Sequence, residues 1–161
     1  DEEFAAVCTR ISQRAGQIEP MLQQLHPKDW MAKGAPDTYV AQWTTIVDQF
    51  RAIQSDMSAL TRQPGHLTDS MKALFRIQTN QQLLESLMGG VRKYQNPALA
   101  DLIESVAAES SGDIDKFERH LLEMADEKEQ QFTVVDREAQ RCRATLSRQP
   151  AEPARANRKT Q

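Results

Sequence analysis

The residues of this 161-residue chain that could do chemistry are three histidines, two cysteines and a surplus of carboxylates. His26, His66 and His120 each lack another His or Cys three or four positions away, so no helical face offers a pair of metal ligands. No Glu-x-x-His occurs, which excludes the ligand pattern of a ferritin-like di-iron bundle. Cys-x-x-Cys-His, a Gly-rich phosphate loop, a Gly-x-Ser-x-Gly elbow and His-Glu-x-x-His are also missing. The nearest approach to an acid–base group is Glu118, Arg119, His120 and Glu123. There a carboxylate one turn away would let His120 titrate near neutral pH. The plainer reading is a solvated charged face beside Leu121 and Leu122. His26 before Pro27 and His66 after Gly65 fall in connections and suit turns or caps. No catalytic residue, cofactor or metal is expected; the chain reads as non-enzymatic.

Cys8 and Cys142 are too few for a disulfide scaffold but sit near opposite ends of the apolar part of the chain. They are either two reduced thiols or one bridge. A bridge requires the chain to turn between them, as the helical pattern makes clear.

Gly and Pro fall in clusters, and between the clusters apolar residues recur at steps of three and four. Phe4, Cys8, Ile11, Ala15, Ile18, Leu22 and Leu25 make an unbroken first stripe, with Pro20 off the stripe and expected to bend the helix or interrupt its hydrogen bonds. Tyr39, Trp43, Ile46, Phe50, Ile53, Met57 and Leu60 make the second, after an oxygen cap in Pro36-Asp37-Thr38. The third starts near Thr68 or Asp69 and carries Leu67, Met71, Leu74, Ile77, Leu84, Met88 and Val91. Thr79-Asn80-Gln81-Gln82 interrupts it, and Gly89-Gly90 predicts a break or a close backbone approach. Asn96-Pro97 reads as a cap with proline at the first helical position. From Ile114 a further stripe runs through Phe117, Leu121, Met124, Phe132, Val135, Ala139, Cys142 and Leu146.

A straight helix from Pro97 to Arg148 would be about 75 Å long, twice its partners. Either the final helix protrudes, as Lys128 at a position due for an apolar residue suggests, or the chain turns near Gly112 and makes 97–111 a short separate helix; the turn is the favoured expectation. That turn would carry Cys142 back towards Cys8, so turn and bridge are expected together. No window alternates with period two, and no Asn-Gly or Asp-Gly hairpin turn appears. The expected fold is all-α: an antiparallel bundle of four to five helices over residues 1–148, followed by a disordered basic tail over 149–161.

Two segments exceed what a bundle needs. The connection from His26 to Asp37 is long and holds Trp30 and Met31 beside Lys28 and Lys33. It is either a partner-binding loop or a plug in which Trp30 folds back on the bundle end. In the third helix, Asn80 and Gln81 are candidates for a buried polar layer facing Gln49 or Gln54, or for a small-molecule pocket; solvent exposure is the simpler alternative.

The net charge of −3 hides a cancellation. Residues 1–136 sum to −8, and from Arg137 onward seven basic residues oppose Glu138 and Glu152, giving +5. The acidic body is a poor match for nucleic acid, and the basic end lacks aromatic interleaving for base stacking. Arg137, Arg141, Arg143 and Arg148 suit the C-terminal end of a helix dipole, and Arg141 and Arg148 are also candidate contacts for a protein or an anionic cell-envelope surface. Apolar runs reach at most five residues, at Phe4 to Cys8, too short to span a bilayer. The opening Asp1-Glu2-Glu3-Phe4, without Met, suggests a processed chain, and an extracytoplasmic location follows as an expectation. The expected function is an interaction or structural module that presents rigid helix faces. The alternative is a small-molecule-binding or sensory bundle.

Overall fold

Every stripe residue of the first segment becomes core. In a computed structural model, which describes residues 1–148, Phe4, Cys8, Ile11, Ala15, Ile18, Leu22 and Leu25 are all buried. The expected tail at 149–161 lies outside the described residues. Helix α1 spans Glu2–Leu22, and the Asp1 carboxylate caps it by accepting from the Glu3 N–H at 3.0 Å. Pro20 causes no early stop. Its missing donor falls in the last turn, and the helix ends two residues later.

A single turn, α2 (Pro27–Trp30), and a 3-10 turn at Met31–Lys33 follow, closed by Gly34 at φ 94°. That left-handed backbone is open to glycine and strained for a residue with a side chain. Helix α3 (Thr38–Arg62) buries Ile46, Val47, Phe50, Ile53, Met57 and Leu60. Asp37 stands at its cap position, but its side chain makes no capping bond, contrary to the sequence expectation. Helix α4 (Leu67–Tyr94) runs unbroken through both Thr79–Gln82 and Gly89–Gly90. It starts at His66, ahead of the Thr68–Asp69 expected from sequence, and Ser70 Oγ donates to the His66 carbonyl at 3.0 Å.

Helix α5 (Pro97–Ala108) begins as expected, with Asn96 Oδ1 accepting from the Ala98 N–H at 2.9 Å and Pro97 at the first position. The chain then turns, and α6 runs from Ser111 to Arg148. A break near Gly112 is therefore present, but it is not the expected reversal: Arg14 pairs with Glu109, Arg10 with Asp113 and Phe4 with Phe117, so α5 and the buried part of α6 run on in one direction along α1. Among the described residues there is no strand, and the fold is an all-α helical bundle.

The chain divides into two compact units, Asp1–Ala125 and Asp126–Gln161. In the first, α1 packs on α3 and α5, and α4 packs on α3 and α5. Phe117 joins this core by stacking on Phe4 with ring centroids 5.6 Å apart. Ion pairs tie the outer faces: Arg10 with Asp113 at 2.8 Å, Arg76 with Asp56 at 2.8 Å, and Arg92 with Asp101 at 2.9 Å and with Glu104. The Arg92 guanidinium holds the Glu104 carboxyl below the usual carboxylate range, and Arg51 does the same to Glu19. Their contribution to stability is present above the ordinary carboxylate range and is lost as pH falls through the depressed values. Both groups are on the surface, so the loss is small.

In the second unit, residues 126–148 form the distal part of α6, and none of them is buried. Only Ala139 is even half-buried; every other residue is exposed.

Candidate functional site

The Trp30 connection is a plug. Trp30 is 1% exposed. Its indole stands edge-on to Tyr39 at 5.6 Å and lies roughly parallel to Tyr94 at 6.3 Å. Trp30 Nε1 donates to Gln95 Oε1 at 3.1 Å, and the same oxygen accepts from the His26 N–H at 2.9 Å. Gln95 Nε2 in turn donates to the Gln24 carbonyl at 2.9 Å, and Lys33 Nζ to the Tyr94 carbonyl at 2.8 Å. One glutamine after α4 thus satisfies the loop backbone and the buried indole together. Trp30 as an exposed partner contact is corrected by this geometry, because its whole ring is used inside the unit. Met31, one residue on, is 47% exposed and remains a surface residue.

Asn80 and Gln81 separate. Asn80 is 2% exposed and Gln81 is exposed, since one residue is about 100° around a helix. Asn80 occupies the core position between Ile77 and Leu84. Its Oδ1 is buried without a hydrogen-bond partner. Neither expected neighbour reaches it: Gln54 donates to Glu19, and Gln49 accepts from Arg76. Asn80 instead borders a cavity of about 50 Å³ lined mainly by Ile11, Ile53, Ile77 and Ile114, with Ser110 at its edge. That space suits water-sized occupants and is well below the several hundred Å³ of a metabolite pocket. Gln81 as a pocket residue is therefore corrected. Asn80→Leu is expected to raise stability by about 1 kcal/mol, because it removes an unpaired carbonyl and fills apolar space. Chemical denaturation measures this, and a loss of stability instead would show that the amide is paired in solution.

His120 is half-buried and finds its carboxylate on another helix. Its ring meets Phe4 edge-on at 5.5 Å, and Nδ1 lies 3.7 Å from Asp1 Oδ2. Glu118 is engaged elsewhere, accepting from Gln78 at 3.4 Å. This arrangement fixes the start of α1 and presents no nucleophile. Among the described residues no group of three His, Cys, Asp or Glu side chains is placed to hold a metal. Nor is any described helix long and apolar enough to cross a membrane.

The cysteines are both free, Cys8 buried in α1 and Cys142 exposed on α6. The expected bridge is corrected together with the reversal that was to permit it, because α6 runs on past the start of α1 and does not return beside it. Leu121 is the last buried residue of α6, and Cys142 comes about six helical turns later. Burial pushes the Cys8 thiol up to about 11. An aromatic disulfide reagent should therefore label one thiol rapidly in the native, reduced chain and the second only on unfolding. Two thiols labelled equally fast in the native protein would contradict this burial.

The strongest surface feature is the distal half of α6. Phe132, Val135, Ala139, Cys142 and Leu146 follow one another at steps of three, four, three and four, the seven-residue repeat of a coiled-coil seam. Phe132 is 72% exposed, Val135 62% and Leu146 61%. Val134 is also exposed but lies off the stripe. Arg137, Arg141 and Arg148 occupy the opposite face at this register together with Asp126 and Glu127, so the helix is apolar on one side and of mixed charge on the other. Over 126–148 five acids balance five bases, and the basic excess noted in the sequence arises only when 149–161 is included. Comparison of the chain with protein-family models, with characterised proteins and with solved structures gives no match.

Proposed function

We propose that this protein is a non-enzymatic interaction module whose contact surface is the apolar stripe of α6 from Phe132 to Leu146. The observation that supports it is the exposure of a whole seam. Single exposed apolar residues are normal on a protein surface, whereas a continuous stripe at helical spacing marks a docking face. An isolated helix of this length is marginal in water, so covering the seam would also stabilise the helix that carries it. The partner is a protein rather than an anionic surface, because charges over 126–148 balance and leave no net electrostatic attraction to such a surface. The first unit serves as a rigid anchor. With both thiols free, a bridge no longer speaks for an extracytoplasmic location.

The Asn80 cavity suits only water-sized guests, so a ligand-binding or sensory role would have to use a surface cleft such as the one of about 280 Å³ lined by Asp56, Gln63, Asp69, Lys72 and Arg76.

Phe132→Asp together with Val135→Asp tests the reading. No residue of 126–148 is buried, so the midpoint of thermal unfolding of the first unit is expected to stay within about 1 °C. Association of the full chain, with itself or with a protein from extracts of its own cells, is expected to be lost. Association unchanged by the double substitution would contradict the proposal.

A further inference from the structure

The seam from Phe132 to Leu146 fits one occupant best, a second copy of itself. We propose that two chains pair through the distal halves of α6 as a parallel, in-register coiled coil. This inference rests on the interaction-module reading and names its partner.

Charge decides the orientation. Numbering the seam as a coiled coil puts Phe132, Ala139 and Leu146 at one set of core positions and Val135 and Cys142 at the other. The positions flanking the core are then Glu129, Gln131, Asp136, Glu138, Arg143 and Thr145. In a parallel pair a flanking residue meets the one five positions further along its partner. Glu138 of each copy therefore meets Arg143 of the other, and Gln131 meets Asp136. Two opposite-charge pairs form and no like-charge pair arises at these positions. All five seam residues are covered, each by its own copy. The cost lies at the end of the seam, where Lys128 meets Lys128.

Antiparallel pairing does worse in each of its two registers. The register that keeps all five seam residues within the overlap gains Glu129 against Arg143 at both ends, but sets Asp136 against Asp136 and Glu138 against Glu138, which offsets the gain, and leaves Leu146 facing Lys128. Sliding by one heptad pairs Asp136 with Arg143 but leaves Phe132, the largest apolar residue of the seam, without an apolar partner. Parallel pairing alone combines favourable charges with full coverage.

The same geometry places Cys142 of one chain against Cys142 of the other. Antiparallel pairing sets it against Ala139 or Phe132 instead. Cys142 is exposed and Cys8 buried, so oxidation reads the orientation directly. With oxidised glutathione as oxidant, one Cys142 thiolate attacks the glutathione disulfide and releases glutathione. The second chain's Cys142 thiolate then displaces the other glutathione. One interchain S–S bond forms, and one oxidised glutathione is reduced to two thiols.

The experiment uses the full chain. Sedimentation equilibrium is expected to show a reversible dimer that Val135→Asp with Leu146→Asp abolishes. Oxidation of the native chain is expected to give a covalent dimer of about twice the 18.2 kDa chain mass. At micromolar chain it should form about 100-fold faster than in urea, since pairing raises the local thiol concentration into the millimolar range. Cys142→Ser should remove it. Glu138→Arg and Arg143→Glu should each weaken the dimer at least several-fold, and the two together should restore it. A dimer that fails to cross-link through Cys142, or is not restored by the charge swap, overturns the parallel register. A monomer at all concentrations overturns self-pairing. The interaction-module reading then fails separately only if association with other proteins also survives Phe132→Asp with Val135→Asp.

Discussion

Trp30→Ala is expected to lower the unfolding free energy of the first unit by about 3–5 kcal/mol, among the largest effects of any single substitution in this chain. The ring is 1% exposed and shares its pocket with Tyr39 and Tyr94. Removing it opens a cavity that two other rings cannot close without leaving their own contacts. It also removes one of the two donors that Gln95 Oε1 serves. Trp30→Phe keeps most of the apolar contact and loses the indole donor, so its expected cost is smaller, about 1–2 kcal/mol. Denaturant titration monitored by far-UV circular dichroism gives both values. Equal, small losses would show that the loop does not seal the unit in solution.

The second large effect separates two adjacent glycines. Gly90→Ala places a Cβ 2.9 Å from Trp30 Cζ3 and 2.9 Å from Tyr39 Cε1. Both are ring atoms of packed aromatics, not the free ends of flexible side chains. The overpacking is expected to cost about 1–3 kcal/mol, against a helix-propensity gain of up to about 1. Gly89 has no atom within 4 Å of such a Cβ, and there the propensity gain is unopposed. Gly89→Ala should therefore stabilise by about 0.5–1 kcal/mol while Gly90→Ala destabilises. Thermal melts of the two variants, expected to shift in opposite directions by a few degrees, decide the point. Shifts of the same sign would contradict the close approach of the Trp30 loop to α4.

These glycines also show where the sequence runs out. Gly89-Gly90 signals a break or a close approach, but the choice depends on rings delivered from a loop some sixty residues earlier. Local pattern holds no record of that delivery. The α1 stripe is different. Its seven positions are legible because one helix face is buried along its whole length, so period and burial coincide. Asn80 falls between these cases. Its spacing from Ile77 and Leu84 marks a core position, yet its polar neighbours Thr79, Gln81 and Gln82 mask that when the four are read as a block.

The seam of α6 teaches the converse. Its period is as regular as that of α1, and a bundle expected over 1–148 takes it as core. Periodicity establishes that a face is apolar, not that this chain covers it. Lys128, which breaks the stripe just before Phe132, is the signal that the core stops there; the boundary between the units falls at Ala125–Asp126. The break after Ala108 was legible from helix lengths, whereas the reversal expected there and the Cys8–Cys142 bridge tied to it are absent. Helix length demands either a reversal or a projecting end and does not choose between them.

Hydrogen exchange across residues 132–146, measured at rising concentration of the full chain, is the most direct test of the self-pairing seam. Unpaired, this part of α6 is a helix without tertiary support and its amides should exchange quickly. The account predicts that their protection rises steadily as the chain is concentrated from about 1 µM to about 1 mM, the span over which a three-heptad pair of moderate affinity assembles. Protection in α1 and α4 should stay constant meanwhile. Exchange over 132–146 that is the same at every concentration would contradict it.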